Sequence, residues 1–276
     1  MLISLENNPE VVARQVFNAP LACIKPTRYS VGDFVLSRDA ILREFGGDPG
    51  QGLIAWFDMT DAETIRAHLD TFGNVISNSD VGDVIRFTVD VDAKTFGRRQ
   101  EGETLGDLAK KRFTTIRELL GNQMRQGARV RDLSSRLGTA RLVLHAFRLM
   151  AEEAMQLDQR RIFEPLSLTT YADGHRMLSV TGAVLERTKV AECRARMNLG
   201  AVPGGAADWT DLVHIQIPQL TVWEKLSLDR KPHEKTPKQM ATELSFRLHD
   251  TVPTVELLQG YQTFQRFYPN FRHVVL

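Results

Sequence analysis

The sequence predicts an α/β fold in which a mostly parallel sheet ends in an antiparallel hairpin, and three observations lead to this prediction. Short apolar runs bounded by turn residues, such as Leu53–Phe57, are typical of central strands buried on both faces. Amphipathic helical stretches lie between these runs, as expected for parallel strands joined by crossover helices. Asp173 and Gly174 separate two β-rich runs, and Asp-Gly between strands is a strong hairpin signal.

The first hundred residues are expected to alternate strands with helices. The apolar run MLISL ends in Glu6, after which Asn8 can cap a helix that starts at Pro9. The segment Tyr29–Leu36 has a mixed pattern and is left unassigned. The predicted elements are strands at Met1–Leu5, Leu21–Ile24, Leu53–Phe57 and Asp83–Asp90, and helices at Pro9–Phe17 and from Asp61 to a stop at Gly73.

The second half is expected to hold a helical insertion, the hairpin and a smaller tail. Residues 186–208 show no regular pattern and predict a loose connection. The predicted elements are helices at Leu105–Leu120 and Asp132–Asp158, hairpin strands at Phe163–Tyr171 and Arg176–Leu185, a short strand at Leu212–Ile217, and helices at Pro237–Leu248 and Val252–Tyr268. We therefore expect an α/β domain over residues 1–190, with its helical insertion at about 105–160, and a mainly helical C-terminal extension over residues 209–276.

Composition excludes several classes of protein. A chain of 276 residues with 42% hydrophobic and 25% charged residues is typical of one large globular domain, not of a disordered or coiled-coil protein. The 35 basic and 34 acidic side chains nearly cancel, so no whole-molecule field attracts nucleic acid or membrane. The sequence has neither a signal-peptide pattern nor an apolar run of membrane-spanning length, which predicts a cytoplasmic protein. Cys23 and Cys193 are expected to be reduced thiols in the core.

The chain has no motif typical of a hydrolase nucleophile or a metal site. None of the seven histidines has a second histidine four residues away beside an acid, so no metal site is predicted. We expect His68 and His175 to lie in solvent and His145 to lie in a helix core. The basic stretch 98–131 leaves two interpretations open, solvated helix faces, which we favour, and a nucleic-acid patch. Its members are Arg98, Arg99, Lys110, Lys111, Arg112, Arg117, Arg125, Arg129 and Arg131.

Three segments carry a resemblance to a known family. They read MLISLENNPEVVARQVFN, LIAWFDMTDAETIRAHLDTFG and VGDVIRFTVDV, and they resemble a group of bacterial and phage O-methyltransferases of the class I S-adenosylmethionine-dependent methyltransferase superfamily. In that Rossmann-like fold, the predicted strands correspond to strands two to seven, and the last strand inserts antiparallel to the others. The resemblance covers roughly the first 185 residues. It implies methyl transfer from S-adenosylmethionine to an acceptor that the sequence does not identify.

The resemblance implies roles for two carboxylates. Glu6 matches the acidic residue that ends the second strand of the superfamily and binds the ribose hydroxyls of the methyl donor. Asp58 matches the end of the fourth strand, close to the transferred methyl group. Ligands of open α/β sheets bind outside the carboxyl ends of the strands, so both residues are expected at one edge. Two alternatives stay open: Glu6 as a solvated strand end, and Asp58 as a helix cap beside Asp61.

One part of the superfamily pattern is missing. Its first strand and glycine-rich turn should precede Glu6, but only five residues do, and the glycines of 200–205 precede a strand-like run instead. We hypothesise that the chain is shortened at its start or that another segment, such as Phe271–Leu276, fills the gap. A second function therefore stays open, that of a non-catalytic interaction protein that acts through a partner protein or self-association.

Overall fold

The computed structural model describes residues 1–59, 61–216, 218, 220–229, 234–244 and 246–265. The strands are β1 (Leu2–Leu5), β2 (Ile24–Thr27), β3 (Ile54–Met59), β4 (Val84–Asp90), β5 (Arg161–Asp173), β6 (His175–Glu186) and β7 (Val213–His214). The helices are α1 (Pro9–Asn18), α2 (Val31–Glu44), α3 (Ile65–Ser77), α4 (Leu105–Leu120), α5 (Gly138–Ala154), α6 (Val190–Met197), α7 (Val222–Asp229), α8 (Pro237–Glu243) and α9 (Thr254–Phe264). No helix among these is long and apolar enough to cross a membrane.

The strands form two sheets. β1 and β2 make a parallel pair, and a five-stranded sheet has the order β3-β4-β6-β5-β7. In the larger sheet only β6 is reversed, because it pairs antiparallel with both β4 and β5, whereas β3 with β4 and β5 with β7 are parallel. The predicted α/β class, a Rossmann-like and mostly parallel sheet with an antiparallel hairpin, is confirmed. The hairpin turns at Gly174, whose φ of +71° is a left-handed conformation that glycine adopts without strain.

A cluster of aromatic rings forms the centre of the core between the large sheet and helices α3 and α5. Phe72 of α3 is fully buried, and its ring centroid lies 5.2 Å from Phe87 on β4, 4.9 Å from Phe147 on α5 and 5.3 Å from Phe163 on β5. All three pairs meet edge to face, which is the favourable geometry for aromatic rings. One side chain therefore joins two helices to two strands.

The predicted helix stop at Gly73 is wrong, because α3 continues through it to Ser77. Gly73 lies where α3 packs on α5, and a Cβ there would come within 2.7 Å of the Met150 sulfur. The glycine is therefore explained by close helix packing and not by a C-terminal cap.

The structure also differs from the sequence predictions at the second strand and at the two cysteines. The second strand begins at Ile24, where the predicted one ends, and it includes Pro26. A proline is tolerated there because β2 is an edge strand, whose outer backbone groups need no partner. The unassigned segment is part of α2, which starts with a capping box between Ser30 and Asp33.

Cys23 is exposed and Cys193 is half-buried, so neither is the core thiol that we expected.

The predicted helical insertion is confirmed in part. α4 has the predicted bounds, but α5 is shorter than Asp132–Asp158, because a 3-10 turn occupies Val130–Ser134. Gly138 begins α5 in contact with this turn, since a Cβ there would lie 2.1 Å from the Asp132 carbonyl oxygen. Helix α6 lies inside the predicted loose connection.

The C-terminal part contributes to the large sheet and has a small core of its own. Ile215 donates its N–H to Thr170 of β5 beyond the short strand β7, within the predicted strand Leu212–Ile217. Leu228, Met240 and Leu258 form the small core together with Tyr261. Helices α8 and α9 lie within the predicted helical ranges, α7 was not predicted, and the segment Phe271–Leu276 lies outside the described residues. The division into domains at about residue 190 stays a prediction.

A buried ion pair connects α2 to the amino-terminal ends of β3 and β4. The Asp83 side chain is fully buried and accepts hydrogen bonds from Leu53 N (2.8 Å), Asp80 N (2.9 Å) and Arg38 Nη2 (2.8 Å). Arg38 is itself 10% exposed and also contacts the exposed Asp80 carboxylate at 2.6 Å. Asp83 therefore holds a helix, a strand start and a turn together.

His214 of β7 predicts a pH dependence of stability. Burial, together with the positive charges of Arg136 and Arg176, lowers its pKa to about 4, while its contact with Thr170 acts in the opposite direction. In the unfolded chain the pKa is about 6.5. Between these two values the unfolded state binds the proton and the folded state does not, so stability falls as pH decreases from about 6.5 to about 4.

The matched variant is His214→Asn, in which an uncharged amide replaces the ring nitrogen that meets Thr170 Oγ1 at 2.9 Å. Urea unfolding at pH 7 and pH 5 should show a smaller loss of stability for the variant than for the parent protein. An equal loss in both proteins would contradict the assignment of this pH dependence to His214.

Candidate functional site

The carboxyl ends of β3 and β4 present two carboxylates in different environments. Asp58, one residue before the end of β3, is exposed and makes no hydrogen bond within the described residues. Asp90, the last residue of β4, is 5% exposed and accepts hydrogen bonds from Asp92 N at 2.6 Å and Thr95 Oγ1 at 3.0 Å. Asp58 is therefore exposed and unbonded within the described residues, whereas Asp90 supports the loop that follows its strand.

Glu6 lies directly after β1 and is half-buried. Its N–H donates to the carbonyl of Thr27 at the end of β2, and its Oε1 accepts the N–H of Asn8 at 2.8 Å. Asn8 in turn caps α1 through Glu10 N. Oε1 thus stabilises the turn into α1, and Oε2 has no hydrogen bond within the described part of the chain.

Two histidines, His68 and His175, contact neighbouring polar groups. His68 Nε2 lies 2.7 Å from the carbonyl oxygen of Asp61 and 2.9 Å from Thr64 Oγ1, so this half-buried side chain is not free in solvent as we expected. His175 Nδ1 lies 3.2 Å from Asp90 Oδ2, with its side chain 62% exposed. His145 is partly buried, which lowers its pKa. No cluster of three or more His, Cys, Asp or Glu side chains suited to a metal occurs in the described ranges.

One edge and one face of β3 are open in the part of the chain that the structure describes. β3 pairs only with β4, and β1 pairs only with β2. Ile54 and Trp56 are 82% and 60% exposed. Trp56 donates from Nε1 to Thr88 Oγ1 at 3.0 Å, and the Arg86 guanidinium lies 4.8 Å from its ring centroid. Within the described residues, neither β1 nor β3 has a strand paired on its second edge, and the segment Phe271–Leu276 that we considered for this place lies outside them.

The glycine-rich segment 200–205 packs on β5 of the large sheet. Gly205 forms an isolated bridge with Ser167 of β5, and a Cβ on Gly205 would lie 2.2 Å from the carbonyl oxygen of Leu199. Gly204, at φ +82°, lies close to Thr169. These glycines allow the chain to pack closely on β5, and they do not restore the missing turn.

A comparison with known protein families shows to which family the chain belongs. The whole chain, residues 1–276, matches the model of a family described as "Putative O-methyltransferase". The chain belongs to this family of O-methyltransferases. No curated protein and no solved structure matches the chain. The family-level prediction from the sequence is thus confirmed, while the roles of Glu6 and Asp58 stay predictions.

This member of the O-methyltransferase family has a cavity that lies away from Asp58. Its volume is about 480 Å³, and it lies between α5 and the start of β5, beside Phe163 and Trp209. Four residues lie side by side across the sheet and form one row. They are Asp58 of β3, Thr88 of β4, Ser179 of β6 and Thr169 of β5. Phe163 is six residues before Thr169, which corresponds to about 20 Å along the strand.

The cavity was not predicted from the sequence. Its lining comes from α5, β5, Arg187 and the segment Asp208–Thr210, which are distant from one another in the chain. The Arg148 and Glu152 pair, spaced four residues apart on one helix face, was visible in the sequence, but such pairs are common on solvated surfaces. Helix α5 lines this cavity, at the opposite end of the sheet from Asp58.

The basic stretch 98–131 is partly used in local contacts. Arg112 Nε donates to the Gly97 carbonyl at 2.9 Å, and Arg125 forms an ion pair with Asp132 at 2.5 Å. Lys110 lies 3.6 Å from Asp107 on the same helix. These contacts reduce the charge that remains for a polyanion, although nucleic-acid binding stays an untested alternative.

Proposed function

We propose that this chain is an S-adenosylmethionine-dependent O-methyltransferase whose donor binds beside Glu6. The strand arrangement carries the proposal. The parallel pair β1–β2, and the order β3-β4-β6-β5 with only β6 reversed, correspond to strands two to seven of the class I methyltransferase sheet. Membership of the O-methyltransferase family supports the same reaction class.

The residues at the two strand ends fit part of the donor. A ribose diol needs two acceptor positions, and the Glu6 carboxylate retains Oε2 and one lone pair of Oε1 after its bond to Asn8 N. Each hydrogen bond to a charged group contributes about 1.5–3 kcal/mol. For the methionine portion of the donor, the described residues offer no glycine-rich turn between a strand and a helix at this edge. The described residues therefore support a contact between Glu6 and the ribose of the donor, and they do not account for its methionine portion.

Methyl transfer makes modest demands on catalytic side chains. The donor supplies an electrophilic methyl group on a sulfonium, and the protein has to hold an acceptor oxygen in line with it. In this proposal, the exposed carboxylate of Asp58 lies near the acceptor oxygen. The structure gives no reason to assign a catalytic base, and we assign none.

Donor binding tests the proposal. S-adenosylmethionine or its demethylated product at 100 times its dissociation constant should raise the unfolding free energy by about 2.7 kcal/mol, which a thermal-shift experiment detects. Glu6→Ala should weaken donor binding by at least about tenfold in calorimetry, since it removes contacts worth more than 1.4 kcal/mol. The control is Glu10→Ala, an exposed glutamate in the first turn of α1, which should bind the donor as the parent does.

Two outcomes would contradict the proposal. Millimolar donor without any thermal shift would argue against the enzyme, and equal donor affinity in the Glu6 and Glu10 variants would argue against the ribose contact. A protein that binds no donor would favour the second candidate function, a non-catalytic interaction protein. The open edge of β3, with the exposed side chains of Ile54 and Trp56, is the observation that favours this candidate.

A further inference from the structure

The cavity between α5 and β5 has the size and lining of a small-molecule site. Its volume of about 480 Å³ lies within the range of roughly 300–1,000 Å³ that ligand pockets occupy. Ala151, Met155 and Phe163 form an almost fully buried apolar floor. Trp209 forms one wall, half-buried, with its ring 6.2 Å from the ring of Phe163. An aromatic or other flat apolar group can pack against such a surface.

The polar rim of the cavity is rich in hydrogen-bond donors. Arg148 uses Nε to bind Glu152 at 2.8 Å, and its two terminal nitrogens make no hydrogen bond within the described residues. Arg187 donates from Nε and Nη2 to the carbonyls of Gln159 and Arg161, which leaves Nη1. The Trp209 N–H likewise has no partner in the part of the chain described.

The three carboxylates that line the cavity, Glu152, Glu164 and Asp208, are partly occupied, and Glu164 forms an ion pair with Arg194. Glu152 Oε1 accepts from Arg148 Nε, and Asp208 Oδ1 accepts from both the N–H and the hydroxyl of Thr210 at 2.6 Å. Those bonds hold the pKa of Asp208 below its usual value, so this carboxylate is ionised and already bound. The remaining guanidinium donors match a carboxylate better than a neutral group, because charge-assisted hydrogen bonds are the stronger ones.

We propose that this cavity binds a small organic anion with an aromatic body. The ring packs against Trp209 and the apolar floor, and the anionic group accepts hydrogen bonds from Arg148 at the rim. This site is distinct from the methyl-transfer site of the proposed function, because Phe163 lies about 20 Å along the sheet from the row of Asp58. A molecule bound here cannot receive a methyl group at the carboxyl edge.

The test compares two probes of the same shape, 2-naphthoate and the neutral 2-naphthalenemethanol. In calorimetry with the full chain, 2-naphthoate should bind at least tenfold more tightly than the alcohol. Arg148→Ala should abolish this difference. Arg141→Ala is the matched control, since Arg141 is exposed on the same helix outside the cavity, and it should retain the difference.

Two further variants separate the ring contact from the anion contact. Trp209→Ala should weaken both probes, because each of them loses the wall of the cavity. Glu152→Gln should strengthen 2-naphthoate alone, because it removes the competing carboxylate from Arg148. Equal affinities of the two probes for the parent protein, or an Arg148 variant that behaves like the Arg141 variant, would overturn the proposal. Neither result depends on whether the chain binds S-adenosylmethionine.

Discussion

Replacing Asp83 by alanine is expected to lower the free energy of unfolding by about 3–5 kcal/mol. The substitution removes the acceptor of three hydrogen bonds and leaves the buried guanidinium of Arg38 without its buried partner. Arg38 Nε already lacks a partner within the described residues, and the remaining contact, Asp80, is 66% exposed. Removing one partner of a buried ion pair lowers stability by much more than the intact pair adds to it, because the remaining charge stays buried without a partner.

Urea unfolding measures this effect, and Asp39→Ala is its control. Asp39 also contacts Arg38, at 3.6 Å, but its side chain is 52% exposed, so its loss should cost less than about 1 kcal/mol. If both aspartate variants lost the same small amount of stability, burial of the Arg38–Asp83 pair would not be an important source of stability.

Phe72→Ala should be comparably destabilising, by about 3–5 kcal/mol, for a different reason. The fully buried ring has edge-to-face contacts with Phe87, Phe147 and Phe163, and its removal leaves a cavity at the point where α3, α5 and the sheet meet. Because these rings belong to different elements, the surrounding core can collapse only partly into the space.

The control for this substitution is Leu157→Ala, since Leu157 is fully exposed after α5 and its truncation should change stability by no more than about 0.5 kcal/mol. The two variants are compared by thermal and urea unfolding under the same conditions. A loss below about 1 kcal/mol for Phe72→Ala would mean that the core repacks around the missing ring.

The sequence predicts those elements whose local pattern agrees with their packing. The hairpin follows from Asp173-Gly174, and β4 and α4 follow from their periodicity, so these elements lie close to their predicted bounds. Gly73 shows where local rules fail, because a glycine inside a helix looks like a stop unless its contact with Met150 is known. A long-range contact of this kind has no local signal.

For the candidate sites, the sequence provides residue types but no distances. The resemblance identifies Glu6 and Asp58 as candidates, and the structure gives each carboxylate at least one unbonded oxygen within the described residues. The cavity beside Trp209 is different, since Arg148 and Arg187 come from separate elements that only the folded chain brings together. The cavity forms only in the tertiary structure.

The reversed strand at the centre of the sheet has a consequence during synthesis on the ribosome. β4 pairs with β6, and the residues that face Asp90 and Val84 are made about a hundred residues later. At a translation rate of 5–20 residues per second, the apolar strands β3 and β4 wait for roughly 5–20 s before their neighbour emerges. During this interval they expose backbone and apolar groups to other nascent chains. We therefore expect chaperone dependence to arise before the hairpin β5–β6 is complete and to end once it inserts.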